Sequence, residues 1–199
     1  LSFSLIIFLT LMACQTKKEQ KYFGIAVENG GTISGFAKFE ATIPARKPVE
    51  PTKDKEVCGK HTILPEDLIV AENGGIQNVV VYIKDITRGR PLIPPTPNPI
   101  LDQNGCTFRP HVLILPIGAQ VDVLNSDGVL HNLHTHSIVN PVINEAMPGS
   151  VTKMTKFFGM TEEPFKMTCD IHPWMSGWIV IAKHPYYTKT DESGNFQLT

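Results

Sequence analysis

The sequence predicts an all-β protein, a Greek-key β-sandwich, and three observations carry that prediction. Its apolar stretches are short and rich in Val and Ile. Its turns are marked by 15 Gly and 16 Pro. From Phe108 onward, strand-like segments recur every eight to twelve residues or so, with turn residues between them. The chain has 199 residues, 42% of them hydrophobic and 19% charged, which suits one packed domain with appendages. Eighteen basic residues against 19 acidic ones give a net charge of -1. Lys and Arg never run longer than a pair, so a nucleic-acid partner is not expected.

Residues 1–13, "LSFSLIIFLTLMA", are almost entirely apolar. The stretch is too short for a bilayer span of about 20 residues but suits the core of a secretion signal. "LMAC" resembles the lipobox of bacterial lipoprotein signals, which implies cleavage before Cys14 and lipidation of its thiol. The chain opens on Leu1 without a Met or a basic segment, so part of that signal is expected upstream. The expected location is the periplasm or the cell surface, with membrane attachment through the lipid on Cys14 alone. Residues 14–29 read as a polar tether, and residues 30–184 as the folded domain, an N-terminal extension followed by a core at 106–183.

Along that domain, "GTISGFAKFEA" alternates like a strand, and residues 42–64, with Pro44, Pro48 and Pro51 among charges, read as an irregular excursion. "IQNVVVYIK" carries a continuous β-branched run, which predicts a strand buried on both faces. "RPLIPPTPNPI" cannot supply ladder donors and is expected to be an extended loop. "VLILP" and "QVDVLN" predict two strands around a turn at Gly118. "HNLHTHSIV" follows them, and "PFKMTC" places Phe165, Met167 and Cys169 on one face. "GWIVIA" closes the unit. Residues 185–199, "PYYTKTDESGNFQLT", contain a strand–turn–strand that resembles the opening of a carboxypeptidase-regulatory-like β domain.

Of the four cysteines, Cys14 is assigned to lipid and Cys169 to the motif described next. Cys58 and Cys106 remain. "CGKH" and "CTFRPH" leave two fates open for them: a disulfide, or a zinc site shared with His61 and His111. An oxidising compartment favours the disulfide.

The stretch "CDIHPWM" carries the chemistry. A strand ending at Cys169 delivers a thiolate to the tip of the sandwich, and the turn after it brings an imidazole, His172, and a thioether, Met175. Zinc rarely recruits Met, whereas two His, one Cys and a weak axial Met make a blue-copper electron-transfer set. "NSDGVLHNLHTHS" offers His131, His134 and His136 for the second imidazole.

Phe108, Pro110, Gly118, Asn125, Asp127 and His131-Asn132, followed by Cys-x-x-His-x-x-Met with Pro after the His, resemble the cupredoxins, and most closely their amicyanin type. The resemblance spans roughly residues 106–183. It implies His131, Cys169 and His172 as trigonal ligands of one type 1 copper and Met175 as the axial ligand. It also implies that Asn132 ties the two ligand loops together, its backbone N–H reaching the Cys169 sulfur. The His172 ring edge is then expected at the surface as the route for electrons. A second, exposed metal site at His134 and His136 is set against hydrogen-bonded or solvated histidines, and the latter is preferred. His111 is expected to be a satisfied core histidine, and His184 to have no role.

The expected function is one-electron transfer in the cell envelope, without enzymatic activity, between partners such as a c-type cytochrome or a periplasmic dehydrogenase. Two rivals are a copper-trafficking lipoprotein and a structural binding module. A multicopper oxidase or nitrite reductase is disfavoured, because a second cupredoxin domain with its bridging His-Cys-His motif is not read in this sequence.

Overall fold

The computed structural model describes residues 21–199. The signal segment, the lipidation residue Cys14 and the first part of the tether lie outside the described residues. Two sheets face each other. In the five-stranded sheet, Asn144–Met147, His131–Thr135, Phe165–Thr168, Ser176–Ala182 and Val112–Pro116 lie side by side in that order. The four-stranded sheet orders Lys153–Phe157, Gln120–Asn125, Ile100–Gln103 and Phe108–Arg109. The chain crosses repeatedly between them. Ser176–Ala182 runs parallel to Val112–Pro116, and Ile100–Gln103 runs parallel to Gln120–Asn125. The remaining pairs within the two sheets are antiparallel.

Alternation decides which side chains face inward. Val121, Val123 and Asn125 point into the sandwich from one strand, and Phe165, Met167 and Cys169 from another, while Lys166 stays in water. Leu101, Phe108, Leu115, Leu133, Met147 and Ile179 complete a core from which water is excluded. Gly118 turns the chain between Val112–Pro116 and Gln120–Asn125 at φ +77°, a conformation that would strain a residue with a Cβ.

The β-branched run before residue 84 differs from expectation. Only Val80–Tyr82 is strand; Val79 to Val81 are half-buried and Tyr82 is exposed. The strand belongs to a two-stranded ribbon with Tyr187–Lys189, so it is packed on one side only. The extension and the last residues of the chain are interleaved in this way twice. Asn195–Leu198 pairs antiparallel with Ile33–Phe36, and Gly75 comes so close to the Ser193 carbonyl that no Cβ would fit between them. At the other end of the extension, Phe23–Gly24 pairs with Arg88–Gly89, and Tyr22 donates to the Arg90 carbonyl. Residues 91–99 form no strand, as the prolines require.

Candidate metal centre

Cys58 and Cys106 are joined in a disulfide, across 48 residues of sequence. That removes both sulfurs from the zinc alternative, and His61 stays exposed at the surface. Cys169 is the free cysteine among the described residues, and it is buried.

His131, Cys169 and His172 converge. The strand His131–Thr135 lies beside Phe165–Thr168, so the start of one strand and the end of the other supply an imidazole and a thiol at the same edge of the sandwich. Nδ1 of His131 lies 3.0 Å from Nδ1 of His172. The Cys169 Sγ is 3.9 Å from the first of these nitrogens and 3.8 Å from the second. Ligand nitrogens at ~2.0 Å and a sulfur at ~2.3 Å from one ion can be separated by at most ~4.0 Å (N to N) and ~4.3 Å (S to N). All three separations fall inside those limits. The donor set therefore fits a single ion held by two imidazoles and a thiolate, with all three side chains almost wholly buried.

Both rings are oriented from behind. Nε2 of His131 is 2.9 Å from the Asp127 carboxylate, and Nε2 of His172 is 2.8 Å from the Asp54 carboxylate. A carboxylate on Nε2 keeps the proton there and leaves the Nδ1 lone pair for a metal. The Asp127 carboxylate also accepts the amides of Gly105 at 2.7 Å and Cys106 at 2.9 Å. Burial opposes its ionisation, yet His131 and these two amides hold its carboxyl below the ordinary range. Asn125 shapes the turn that leads to His131, donating to the carbonyls of Val129 and Met147.

Asn132 joins the two loops. Its Oδ1 accepts the Asp170 amide at 2.6 Å, and its Nδ2 donates to Asn144 and to the Asp170 carboxylate. Its backbone N–H hydrogen-bonds the Cys169 sulfur. Met175 is buried, and its backbone closes the ligand loop: its carbonyl accepts the Cys169 amide, and its N–H donates to the His172 carbonyl. Trp174 packs against the His172 ring at 5.1 Å between centroids and donates its indole N–H to the Cys106 carbonyl.

One expectation is overturned. The His172 edge does not reach solvent; the ring is fully buried. Asp54 and Trp174 cover it, and Asp54 comes from the extension, 118 residues earlier in the chain. His134 and His136 stack at 4.5 Å and are hydrogen-bonded, the first to Asp170 and the second to Thr168 Oγ1. His111 is buried but not satisfied through Nδ1, which faces Glu66 at 3.6 Å, beyond hydrogen-bond reach. His184 packs among Tyr22, Tyr186 and Tyr187.

The electrostatics of the metal-free protein follow from this geometry. Burial disfavours the Cys169 thiolate, but hydrogen bonds from His131, His172 and the Asn132 amide prevail and bring the thiol down to about 6. Burial likewise disfavours protonated His131, but Asp127 and the thiolate prevail and raise the imidazole to about 9. Between those values the pair is thiolate and imidazolium. A metal bound through Nδ1 must displace the imidazolium proton. Copper uptake at pH 7 is therefore expected to release about one proton. Apparent affinity should fall about tenfold for each pH unit below 9, and more steeply below 6 as the thiol also protonates. Calorimetry in buffers of different ionisation enthalpy measures the proton count.

No protein-family model matches the chain, and no curated protein matches it. Among solved structures it is similar to a Cu(I) form of an amicyanin variant, at 18% identity and a TM-score of 0.39, over 43% of this chain and 82% of that one. It is also similar to a purple cupredoxin from Nitrosopumilus maritimus, at 21% identity and a TM-score of 0.36, over 43% of this chain and all of that one (100%). A third similar structure is the copper-containing nitrite reductase from Thermus scotoductus SA-01, at 24% identity and a TM-score of 0.37. That match covers 53% of this chain but 25% of the reductase, about a quarter of its length. These are likenesses of fold.

Proposed function

We propose that this protein is a type 1 copper protein that passes single electrons between redox partners in the bacterial cell envelope. The observation that carries the proposal is the convergence of His131 Nδ1, His172 Nδ1 and Cys169 Sγ within 3.9 Å of one another, in a site closed to water. Bound there, copper would supply a one-electron Cu(II)/Cu(I) couple. His131, Cys169 and His172 would hold it, with Met175 as the weak axial ligand.

The chain's own contribution is to fix these ligands. Asp127 and Asp54 set both histidine tautomers, and Asn132 fastens the Cys169 loop to the His131 strand. Ligands braced in this way need to move little between oxidation states. His131, Cys169 and His172 are almost wholly buried, which supports a carrier rather than an enzyme. Its partners would be redox proteins such as a c-type cytochrome or a periplasmic dehydrogenase, and Cys14 would hold the protein at a membrane.

Cyclic voltammetry of the copper-loaded protein, run beside a chelator-exchange assay, tests this reading. A reversible one-electron wave with slow copper loss supports electron transfer. Rapid copper loss without a reversible wave would overturn it in favour of copper trafficking.

A further inference from the structure

The segment that buries His172 is built in a way a simple packing contact does not require. Asp54 stands at the N-cap of the one-turn helix Lys55–Cys58, a position where a side-chain oxygen ordinarily accepts a backbone N–H of the first turn. It makes no such bond. Only its backbone carbonyl serves the helix, accepting the amides of Val57 and Cys58. The carboxylate turns instead to Nε2 of His172, and the backbone takes a left-handed conformation at φ 45° to allow it.

The same turn is fastened at its far end. Cys58 is bonded to Cys106. The Cys106 amide donates to the carboxylate that orients His131, and the Cys106 carbonyl accepts the Trp174 indole that packs on His172. A closed circuit thus runs from one ligand histidine through Asp54, the helical turn, the disulfide and Asp127 to the other. The disulfide sulfurs lie within 4.8 Å of a ring nitrogen of His172.

We infer that residues 54–58 form a fixed lid on the ligand histidine and that Asp54 is its positioning residue. The inference rests on the copper reading above. Asp54 holds the His172 ring with Nδ1 turned inward and closes the ring edge to solvent. It also sets a negative charge behind the ligand, where charge favours the more highly charged, oxidised ion. Two consequences follow for the same site: a lowered reduction potential and slow exchange of the metal.

The test uses Asp54→Asn, which keeps the shape and loses the charge, and Asp54→Ala, which opens the lid. Glu56→Gln, two residues away and exposed, serves as the charge control. In Asp54→Asn the preference for Cu(II) over Cu(I) is expected to weaken about tenfold, an upward shift of ~59 mV for a one-electron couple. Glu56→Gln should move it far less. Chelator removal of copper should quicken at least about tenfold in Asp54→Ala, within the range typical of lost support to a ligand. In the metal-free protein, acylation of His172 by diethyl pyrocarbonate, located by peptide mass mapping, should be slow in the parent chain and fast in Asp54→Ala.

Unchanged potential and exchange rate in both Asp54 variants, with the copper–thiolate absorption intact, would overturn the lid. If the parent chain forms no copper–thiolate absorption at all, the copper reading fails instead. The acylation arm still decides separately whether Asp54 shields His172.

Discussion

Cys169→Ser is expected to abolish tight copper binding while leaving the sandwich folded. The thiol is the soft member of the set, and hydrogen bonds from His131, His172 and the Asn132 amide already bias it toward thiolate near neutral pH. Serine is close to it in size but keeps its proton at every accessible pH, so the site would offer two imidazoles and a neutral hydroxyl. Losing a supporting residue typically costs 10–100-fold in metal affinity, and the loss of the thiolate should exceed about 100-fold. Competition against a chelator of known affinity measures it for Cu(I) and Cu(II). An affinity within about tenfold of the parent protein would contradict the ligand assignment. Because Cys169 is buried, circular dichroism should accompany the titration; its spectrum should not change.

Removing the disulfide is expected to have the largest effect on stability. Cys58 and Cys106 are 48 residues apart. The loop-entropy model gives about 4 kcal/mol for a loop of that length, and native disulfides commonly contribute ~2–5 kcal/mol. For a protein of this size each kcal/mol moves the midpoint by roughly 2–4 °C, so the Cys58→Ser/Cys106→Ser pair should unfold about 8–16 °C lower. Part of the loss is local. The bridge joins the extension to the strand region that carries Phe108, and without it the Asp54 turn is held by far less. Calorimetry of the double variant checks the value. A midpoint within about 2 °C of the parent would mean that the bridge constrains little that folding does not already fix.

Much of the candidate site was legible because its residues obey local rules. Phe165, Met167 and Cys169 alternate onto one face and His172 follows in the turn, so one short stretch brings a thiol and an imidazole together. His131 and Asn132 were legible through the resemblance, which joined two distant motifs in order. The Cys58–Cys106 pairing came from count and compartment, and the disulfide is there.

Other features are long-range and leave no local trace. Asp54 lies in the proline-marked stretch read as an irregular excursion, one charged residue among several. Nothing near it in sequence points to a histidine 118 residues away. Asp127 was visible in the motif, but only the structure gives its task of orienting His131. The Val79 to Val81 run misled because β-branched residues suit any pleated surface packed on one side, an outer ribbon included. Asn144–Met147 and Lys153–Phe157 escaped notice because each carries polar or charged residues that mask its strand character. The partners of Tyr187–Lys189 and Asn195–Leu198 lie in the extension, beyond any local pattern.

The most direct measurement is the visible absorption and EPR spectrum of the protein loaded with one equivalent of Cu(II). The account predicts an intense blue thiolate-to-copper band with narrow copper hyperfine splitting, from His131, Cys169 and His172 acting together. A pale solution with the wide splitting of an ordinary nitrogen and oxygen site would contradict it.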